Sequence, residues 1–200
     1  MILSLFAGLS AGLSLIVAIG AQNVFVLRQG IQRSHVGLVV AVCALSDLLL
    51  ILVGVAGIGV LLDRAPGALV VIRWAGAAFL LGYGVMAARR AVRGERMELG
   101  EGQPVRRRLA VLGACLAFTW LNPHVYLDTV LLLGSLAAAQ GDSGRWWFGA
   151  GAGLGSILWF SALGIGARFL APVFRRRPAW RVLDAGIAVV MVALAVSLLR

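Results

Sequence analysis

Residues 119–128 read Thr-Trp-Leu-Asn-Pro-His-Val-Tyr-Leu-Asp and lie within an apolar run that extends from Leu109 to Ala139. Pro123 lacks a backbone N–H, and its ring clashes with the carbonyl of Thr119, so a helix through this run must kink or break. Hydrocarbon offers no partner for the freed carbonyls, and a membrane tolerates such a break only where it faces protein or a water-filled cavity. Asp128 adds a carboxylate, which the centre of a bilayer disfavours by roughly 2.5–3.5 kcal/mol. We therefore predict that this segment forms half of a transport site.

The composition is that of an integral membrane protein. Of the 200 residues, 61% are hydrophobic and 13% are charged, and the mean hydropathy is +0.97. All 18 basic residues are arginine, and they gather between apolar runs instead of along one amphipathic face. We therefore expect the arginines to meet anionic lipid headgroups of the bilayer and expect no nucleic acid partner.

Six apolar segments are long enough to cross a hydrocarbon core of about 30 Å. The loops after the first, third and fifth segments hold 14 of the 18 arginines. By the positive-inside rule these loops are cytoplasmic and both chain ends are outside. The segments are Leu3–Leu27, Val36–Leu62, Gly67–Ala88, Leu109–Ala139, Trp146–Leu170 and Trp180–Leu199.

The first and fourth segments share an interruption. Residues 18–25, Ala-Ile-Gly-Ala-Gln-Asn-Val-Phe, and residues 119–126 each place an amide shortly before a Val-aromatic pair. Three spans precede the fourth, so the two halves enter the membrane from opposite sides, as in many secondary transporters. We predict an all-α integral membrane protein with six transmembrane helices, arranged as two inverted three-helix repeats whose first and fourth helices are interrupted. Residues 1–200 would form one transporter domain, with repeat one at 1–88, a cytoplasmic loop at 89–108 and repeat two at 109–200.

Three acidic residues lie inside apolar segments: Asp47, Asp128 and Asp184. Asp184 is one turn into the sixth segment, and we expect it to pair with an arginine at the cytoplasmic interface. Asp47 and Asp128 have no arginine at their depth in the sequence. An intramembrane acid without an obvious cationic partner is a functional candidate, and a transported cation would supply the missing charge.

A basic amino acid carries the groups that these segments can bind. Two carboxylates can hold a guanidinium or an ammonium, and bidentate geometry favours the guanidinium. Free N–H groups at the start of the half-helix after each break can take an α-carboxylate. Gln22, Asn23 and Asn122 would add neutral hydrogen bonds to the substrate.

His124 precedes Asp128 by four residues, so the two would share a face of a continuous helix. One histidine and one aspartate fall short of a metal site, and we predict none. Proton handling, substrate hydrogen bonding and a bond that stabilises the break all stay open for His124. In the fifth segment, Gly149, Gly151, Gly153, Gly155 and Ser156 form a small-residue face that predicts close helix packing.

Four stretches carry a resemblance to a known family. They are residues 20–31 (Gly-Ala-Gln-Asn-Val-Phe-Val-Leu-Arg-Gln-Gly-Ile), 46–48 (Ser-Asp-Leu), 119–129 and 145–146 (Arg-Trp). With these motifs the whole chain resembles the LysE/ArgO family of basic amino-acid exporters. The resemblance implies export of L-arginine, L-lysine or both across the bacterial plasma (inner) membrane, without a cofactor, and with Asp47 and Asp128 at the acidic positions used for transport. The family's first break usually reads Gly-Pro-Gln-Asn, so with Ala21 in place of the proline we expect a less sharp break here.

Export of a cation requires an energy source. Moving one positive charge outward against an inside-negative potential costs about 2.3 kcal/mol per 100 mV. The chain has no phosphate-binding Gly-x-x-x-x-Gly-Lys motif. We therefore predict a secondary transporter, not an enzyme, that exchanges protons for substrate through Asp47 or Asp128. The predicted substrate-binding residues are Gln22, Asn23, Asp47, Asn122, Pro123, His124 and Asp128.

Two other functions stay open on the sequence alone. An exporter of neutral amino acids would use the same fold, although the paired acids argue against it. A membrane thiol oxidoreductase would use Cys43 and Cys115, which lie in apolar segments without flanking prolines. Small apolar filler is the alternative for these cysteines. A homo-oligomer is compatible with each function, and the sequence does not distinguish arginine from lysine as the substrate.

Overall fold

The computed structural model describes residues 1–17, 20–57, 66–93, 105–170, 172–175 and 177–199. Within these ranges the chain is helical apart from short turns and contains no strand. The second segment's predicted end at 58–62 and the loop residues 94–104 lie outside the described ranges. The helices are α1 (Ile2–Ile16), α2 (Ala21–Ile31), α3 (Val36–Val55), α4 (Pro66–Arg93), α5 (Val105–Trp120), α6 (Pro123–Val125), a π-helical segment (Tyr126–Leu132), α7 (Leu133–Ala138), α8 (Gly141–Gly166) and α9 (Arg177–Leu199), with 3-10 turns at Ala167–Leu170 and Val173–Arg175.

The helices account for the predicted membrane spans. Four of them, α3, α4, α8 and α9, contain stretches long and apolar enough to cross a bilayer. Two further spans are bent pairs: α1 with α2 at 83°, and α5 with the helical stretch 123–138 at 57°. Counting each bent pair as one span gives six among the described residues, and the interrupted ones are the first and the fourth. The prediction of an all-α membrane protein with these two breaks is confirmed.

The first break is the sharper of the two, with a bend of 83° against 57° at Pro123. The expectation that Ala21 makes it milder than the family's usual proline-containing break stays a prediction. Gly20 caps α2 in an extended conformation, with φ −123° and ψ 167°. The side chain of Asn23 donates a hydrogen bond of 2.7 Å from Nδ2 to the carbonyl of Ile16, near the end of α1. A glycine cap and an amide that satisfies a freed carbonyl thus make this break without a proline.

Small residues bring α1 and α8 into close contact. Gly8 and Gly12 of α1 are buried. A Cβ built on Gly12 would lie 2.9 Å from the Cα of Ala152, a separation that real side chains do not tolerate. Likewise, a Cβ on Gly151 would lie 2.8 Å from the backbone nitrogen of Leu9. The predicted close packing of the fifth segment is confirmed, and it holds backbones together where lipid supplies no hydrophobic driving force.

Two further pairs of spans pack together. The second span packs on the fifth through α3 and α8, and the third packs on the sixth through α4 and α9. Two inverted repeats would give these pairings, and the repeat relation itself stays a prediction.

Helix α3 shows how the fold separates lipid from interior. Leu45 and Leu49 are more than half exposed on its outer face. Cys43, Asp47 and Gly54 recur on the opposite face and are buried. Leucine on the outer face suits contact with lipid tails, while the interior face carries the polar groups.

Candidate substrate cavity

A cavity of about 260 Å³ lies between the two helix breaks. The end of α1, the start of α2, and parts of α3, α4, α5, α8 and α9 line it, and so do five residues at the second break: Asn122, His124, Val125, Asp128 and Thr129. Six of the seven predicted substrate-binding residues contribute to its wall: Gln22, Asn23, Asp47, Asn122, His124 and Asp128. Pro123 is not among the lining residues; it occupies the first position of α6. Proline is favourable at this position, because the first N–H groups of a helix have no acceptor within the helix and proline has no N–H.

Asp47 forms the buried wall of the cavity. Its side chain accepts a hydrogen bond of 2.8 Å on Oδ2 from the hydroxyl of Ser156 in α8. Next to it, Ser46 accepts a 3.3 Å hydrogen bond from the indole of Trp120, which joins α3 to the second break. Within the described ranges Asp47 has no ion-pair partner. Its negative charge therefore lacks a fixed counter-ion among these residues.

Asp128 lies in the π-helical segment that follows the second break. A π turn widens the helix by one residue and often occurs at functional sites. Tyr126, which begins this segment, donates its hydroxyl to the carbonyl of Trp120 at 2.8 Å and so satisfies a carbonyl at the break. The Asp128 carboxylate is half-buried and makes no hydrogen bond or ion pair with any described residue. It is therefore available to a ligand in the cavity.

His124 lines the cavity one turn before Asp128, and its side chain is exposed. The backbone N–H of His124 donates a 3.2 Å hydrogen bond to the side chain of Asn122. The described parts of the chain contain no cluster of three or more potential metal ligands. The geometry leaves the imidazole facing the cavity beside a carboxylate.

The amides at the breaks have different roles from one another. Asn23 uses Nδ2 to hold the carbonyl of Ile16, and its Oδ1 accepts a 3.2 Å hydrogen bond from the indole of Trp159. Asn122 caps α6 with its side-chain oxygen. These two asparagines thus stabilise the breaks. Gln22 differs, because its buried Nε2 lies beside the Cys43 thiol but has no partner with good hydrogen-bond geometry among the described residues.

The start of α2 faces the cavity. Residues 20–23 all line it. The first backbone hydrogen bond of this helix runs from Val24 N–H to the carbonyl of Gly20 at 3.2 Å. The N–H groups of residues 21–23 precede that bond and have no intrahelical acceptor. This end of α2 therefore presents donors and a positive dipole end to a ligand.

Three residues at the site were not among the predicted ones. Ser156 binds Asp47, Trp159 orients Asn23, and Thr129 lines the cavity beside Asp128. Ser156 stood in the predicted small-residue face, and its position among glycines was the available signal for contact with a neighbouring helix. Its specific partner depends on the register between α3 and α8.

The two cysteines meet at the interface of α3 and α5. Cys43 Sγ and Cys115 Sγ are 3.3 Å apart, and both thiols are buried. Cys115 also contacts the carbonyl of Val39 at 3.8 Å. Neither residue lines the cavity.

The profile of the family described as LysE type translocator matches residues 13–200. The chain belongs to the LysE family. It is therefore a transporter and not an enzyme, and its apolar helices make it a multi-pass protein of the bacterial plasma membrane. This assignment favours transport over the thiol oxidoreductase alternative for Cys43 and Cys115.

Several relatives align over nearly the full chain. A Mycobacterium tuberculosis protein whose name assigns it provisionally to amino-acid transport is 48% identical over 94% of this chain and 92% of its own. The arginine exporter protein ArgO of Enterobacter sp. is 41% identical over 98% of this chain and 92% of its own length. The lysine exporter LysE of Corynebacterium efficiens is 38% identical over 96% of each chain. No solved structure matches the LysE-family chain described here.

Proposed function

We propose that this LysE-family protein exports the basic L-amino acids L-arginine, L-lysine or both from the cytoplasm. The observation that carries the proposal is that Asp47 and Asp128 line one cavity between two helix breaks, with no cationic partner among the described residues. The names of the related arginine and lysine exporters support the same substrate class.

The cavity offers a separate place for each end of such a substrate. The side-chain cation binds Asp128, and the α-ammonium binds Asp47. The α-carboxylate binds the N–H groups at the start of α2 and the Nε2 of Gln22. The cavity of about 260 Å³ is just below the roughly 300–1,000 Å³ of sites for drug-sized ligands, so it suits one amino acid.

Charge balance separates this proposal from export of neutral amino acids on the same fold. A basic amino acid carries two cationic groups and one carboxylate, so its cations match Asp47 and Asp128 while its carboxylate meets α2. A neutral amino acid has one cation and would leave one of the two acids without a counter-ion. Leaving an intramembrane charge unpaired is costly.

Proton antiport is the proposed coupling. When one proton from outside neutralises one of the two carboxylates, one cation of the substrate loses its partner and the substrate leaves. Exchanging one proton inward for one monovalent substrate outward moves no net charge. The membrane potential, which opposes uncoupled cation export by about 2.3 kcal/mol per 100 mV, then has no effect on the exchange. Residues 1–200 act as one transporter domain in this scheme, with repeats 1–88 and 109–200 on either side of the cavity.

A growth assay tests the function. An exporter-deficient bacterium expresses the native chain, Asp128→Asn or Asp142→Asn at matched membrane levels and grows on canavanine, an arginine analogue. Asp142 is fully exposed and serves as the matched control. We expect resistance from the native chain and from Asp142→Asn, and sensitivity from Asp128→Asn. If the native chain gives no resistance to canavanine and no tolerance of arginine-rich or lysine-rich dipeptides, the proposed substrate class is wrong.

A further inference from the structure

An aromatic layer closes one end of the cavity. Phe79 and Phe118 line the cavity, with ring centroids 4.8 Å apart. Behind them, Tyr83 packs edge-on against Phe118 at 4.9 Å, and Phe25 lies 5.1 Å from the same ring. These four rings come from α2, α4 and α5. A hydrated substrate cannot pass between rings in van der Waals contact, so this layer must part for transport through this end.

A buried ion cluster lies directly behind the aromatic layer. The guanidinium of Arg90 is 5.6 Å from the ring centre of Tyr83. Asp184 Oδ1 is 2.9 Å from Arg28 Nη1 and 3.3 Å from Arg90 Nε. The expected arginine pairing of Asp184 is thereby confirmed. The cluster ties α2, α4 and α9 together at the end of the bundle that the positive-inside rule assigns to the cytoplasm.

The cluster has more positive than negative charge. Arg28 and Asp184 are 4% and 3% exposed, and Nη2 of Arg90 is buried without a hydrogen-bond partner. A buried ion pair contributes little net stability compared with apolar residues of the same volume, because desolvation offsets the attraction. An overall positive, incompletely satisfied cluster is therefore a poor device for stability alone. It does oppose the passage of a cation while it is closed.

We propose that Arg28, Asp184 and Arg90, with the aromatic layer above them, form the cytoplasmic gate of the transport pathway, and that Asp184 receives the substrate cation when this gate opens. The proposal rests on the proposed export of basic amino acids. In the closed state the two arginines form ion pairs with Asp184. In the open state the guanidinium or ammonium of the substrate binds the same carboxylate. Asp184 is then the first of three acids that the substrate meets, before Asp47 and Asp128.

The break in the first span provides the hinge for this gate. Arg28 lies on α2, which begins at the extended Gly20 and meets α1 at 83°. Movement of α2 about Gly20 separates Arg28 from Asp184 and withdraws Phe25 from Phe118. One helix thus carries a member of the ion cluster and a member of the aromatic layer, so both barriers open together.

Thiol labelling measures the state of this gate without substrate. Ala117 lines the cavity and is half-buried, and Ala117→Cys places a reporter thiol there. Inside-out vesicles expose the cytoplasmic face to a membrane-impermeant maleimide. The chain without Ala117→Cys gives the background from the buried Cys43 and Cys115. We expect Asp184→Asn to increase the labelling rate from the cytoplasmic face about tenfold, since two arginines then repel each other where one carboxylate had joined them.

Matched variants keep the test decisive. Asp142→Asn removes an exposed carboxylate and is expected to leave the labelling rate unchanged. Arg90→Gln removes the longer of the two ion pairs, and we expect it to increase the cytoplasmic labelling rate as well. It replaces Asp184→Asn in the test if that variant does not accumulate in the membrane. Exchanging the charges with Arg28→Asp and Asp184→Arg together is expected to restore protection. Unchanged cytoplasmic labelling in both Asp184→Asn and Arg90→Gln would overturn the gate. Because no substrate is present, that result would leave the proposed export function standing.

Discussion

Ser156 donates a hydrogen bond of 2.8 Å to Asp47, and this bond joins the fifth span to the second at the buried wall of the cavity. Ser156 is itself completely buried. No other hydrogen bond to the Asp47 carboxylate is present among the described residues, so this hydroxyl sets the orientation of the acid.

Removing the hydroxyl is therefore predicted to weaken transport. An unsatisfied buried acceptor costs about 1–3 kcal/mol, and we expect Ser156→Ala to reduce arginine efflux about tenfold. Ser14→Ala is the matched control, because Ser14 is exposed and bonds only to the carbonyl of Ala11 in its own helix. Efflux from cells loaded with an arginine dipeptide measures both variants. Equal efflux from Ser156→Ala and the native chain would show that the hydrogen bond has no role in transport.

The close contact of α1 with α8 predicts a stability effect that depends on position. In Gly12→Ala the new methyl group meets the backbone of Ala152, so α1 must move away from α8. Overpacking of this kind costs about 1–3 kcal/mol. Gly82→Ala is the control, because a Cβ at Gly82 has no atom within 4 Å. We expect a lower melting temperature in detergent for Gly12→Ala and an unchanged or higher one for Gly82→Ala, and the reverse order would contradict the packing described here.

The buried thiols are predicted to be dispensable for transport. Cys43 and Cys115 contact each other at 3.3 Å, and a serine at either position is small enough to fit and can donate its hydroxyl to a backbone carbonyl of its own helix. We expect the Cys43→Ser, Cys115→Ser double variant to retain canavanine resistance at matched membrane levels. Loss of export together with loss of periplasmic thiol reduction would instead indicate a redox function.

Proton antiport predicts how efflux responds to imposed gradients. In proteoliposomes loaded with lysine, an acidic exterior should accelerate efflux and should acidify the interior as substrate leaves. A potassium diffusion potential alone should have little effect, because exchange of one proton for one monovalent cation is electroneutral. Efflux that ignores the pH gradient and follows the potential would contradict this coupling and leave a uniporter.

The two breaks and the position of Asp47 and Asp128 at one cavity could be predicted from the sequence, because both have strong local causes. Pro123 cannot continue a helix, and an unpartnered Asp47 or Asp128 in an apolar segment needs a cavity. The size of the first bend has no comparable local cause in the sequence, because an extended Gly20 and the hydrogen bond from Asn23 to the carbonyl of Ile16 shape this break.

Partners across helices were beyond sequence reasoning. The position of Asp184 near a helix start predicts that it pairs with an arginine. Which arginine it pairs with depends on the packing of α2 on α9, because Arg28 is 156 residues away in the sequence. The hydrogen bond from Ser156 to Asp47 depends on helix register in the same way. The π-helical segment that orients Asp128 has no simple sequence signal, since it arises from how the chain resumes after Pro123.

Counterflow in proteoliposomes tests the central claim, that two cavity carboxylates bind and carry a basic amino acid. Vesicles containing the purified native chain are loaded with unlabelled arginine and take up radiolabelled arginine, with lysine, leucine or no competitor outside. We predict counterflow that lysine inhibits and leucine does not, and its loss in Asp128→Asn but not in Asp142→Asn. Counterflow that leucine inhibits as strongly as lysine, and that persists in Asp128→Asn, would contradict the account.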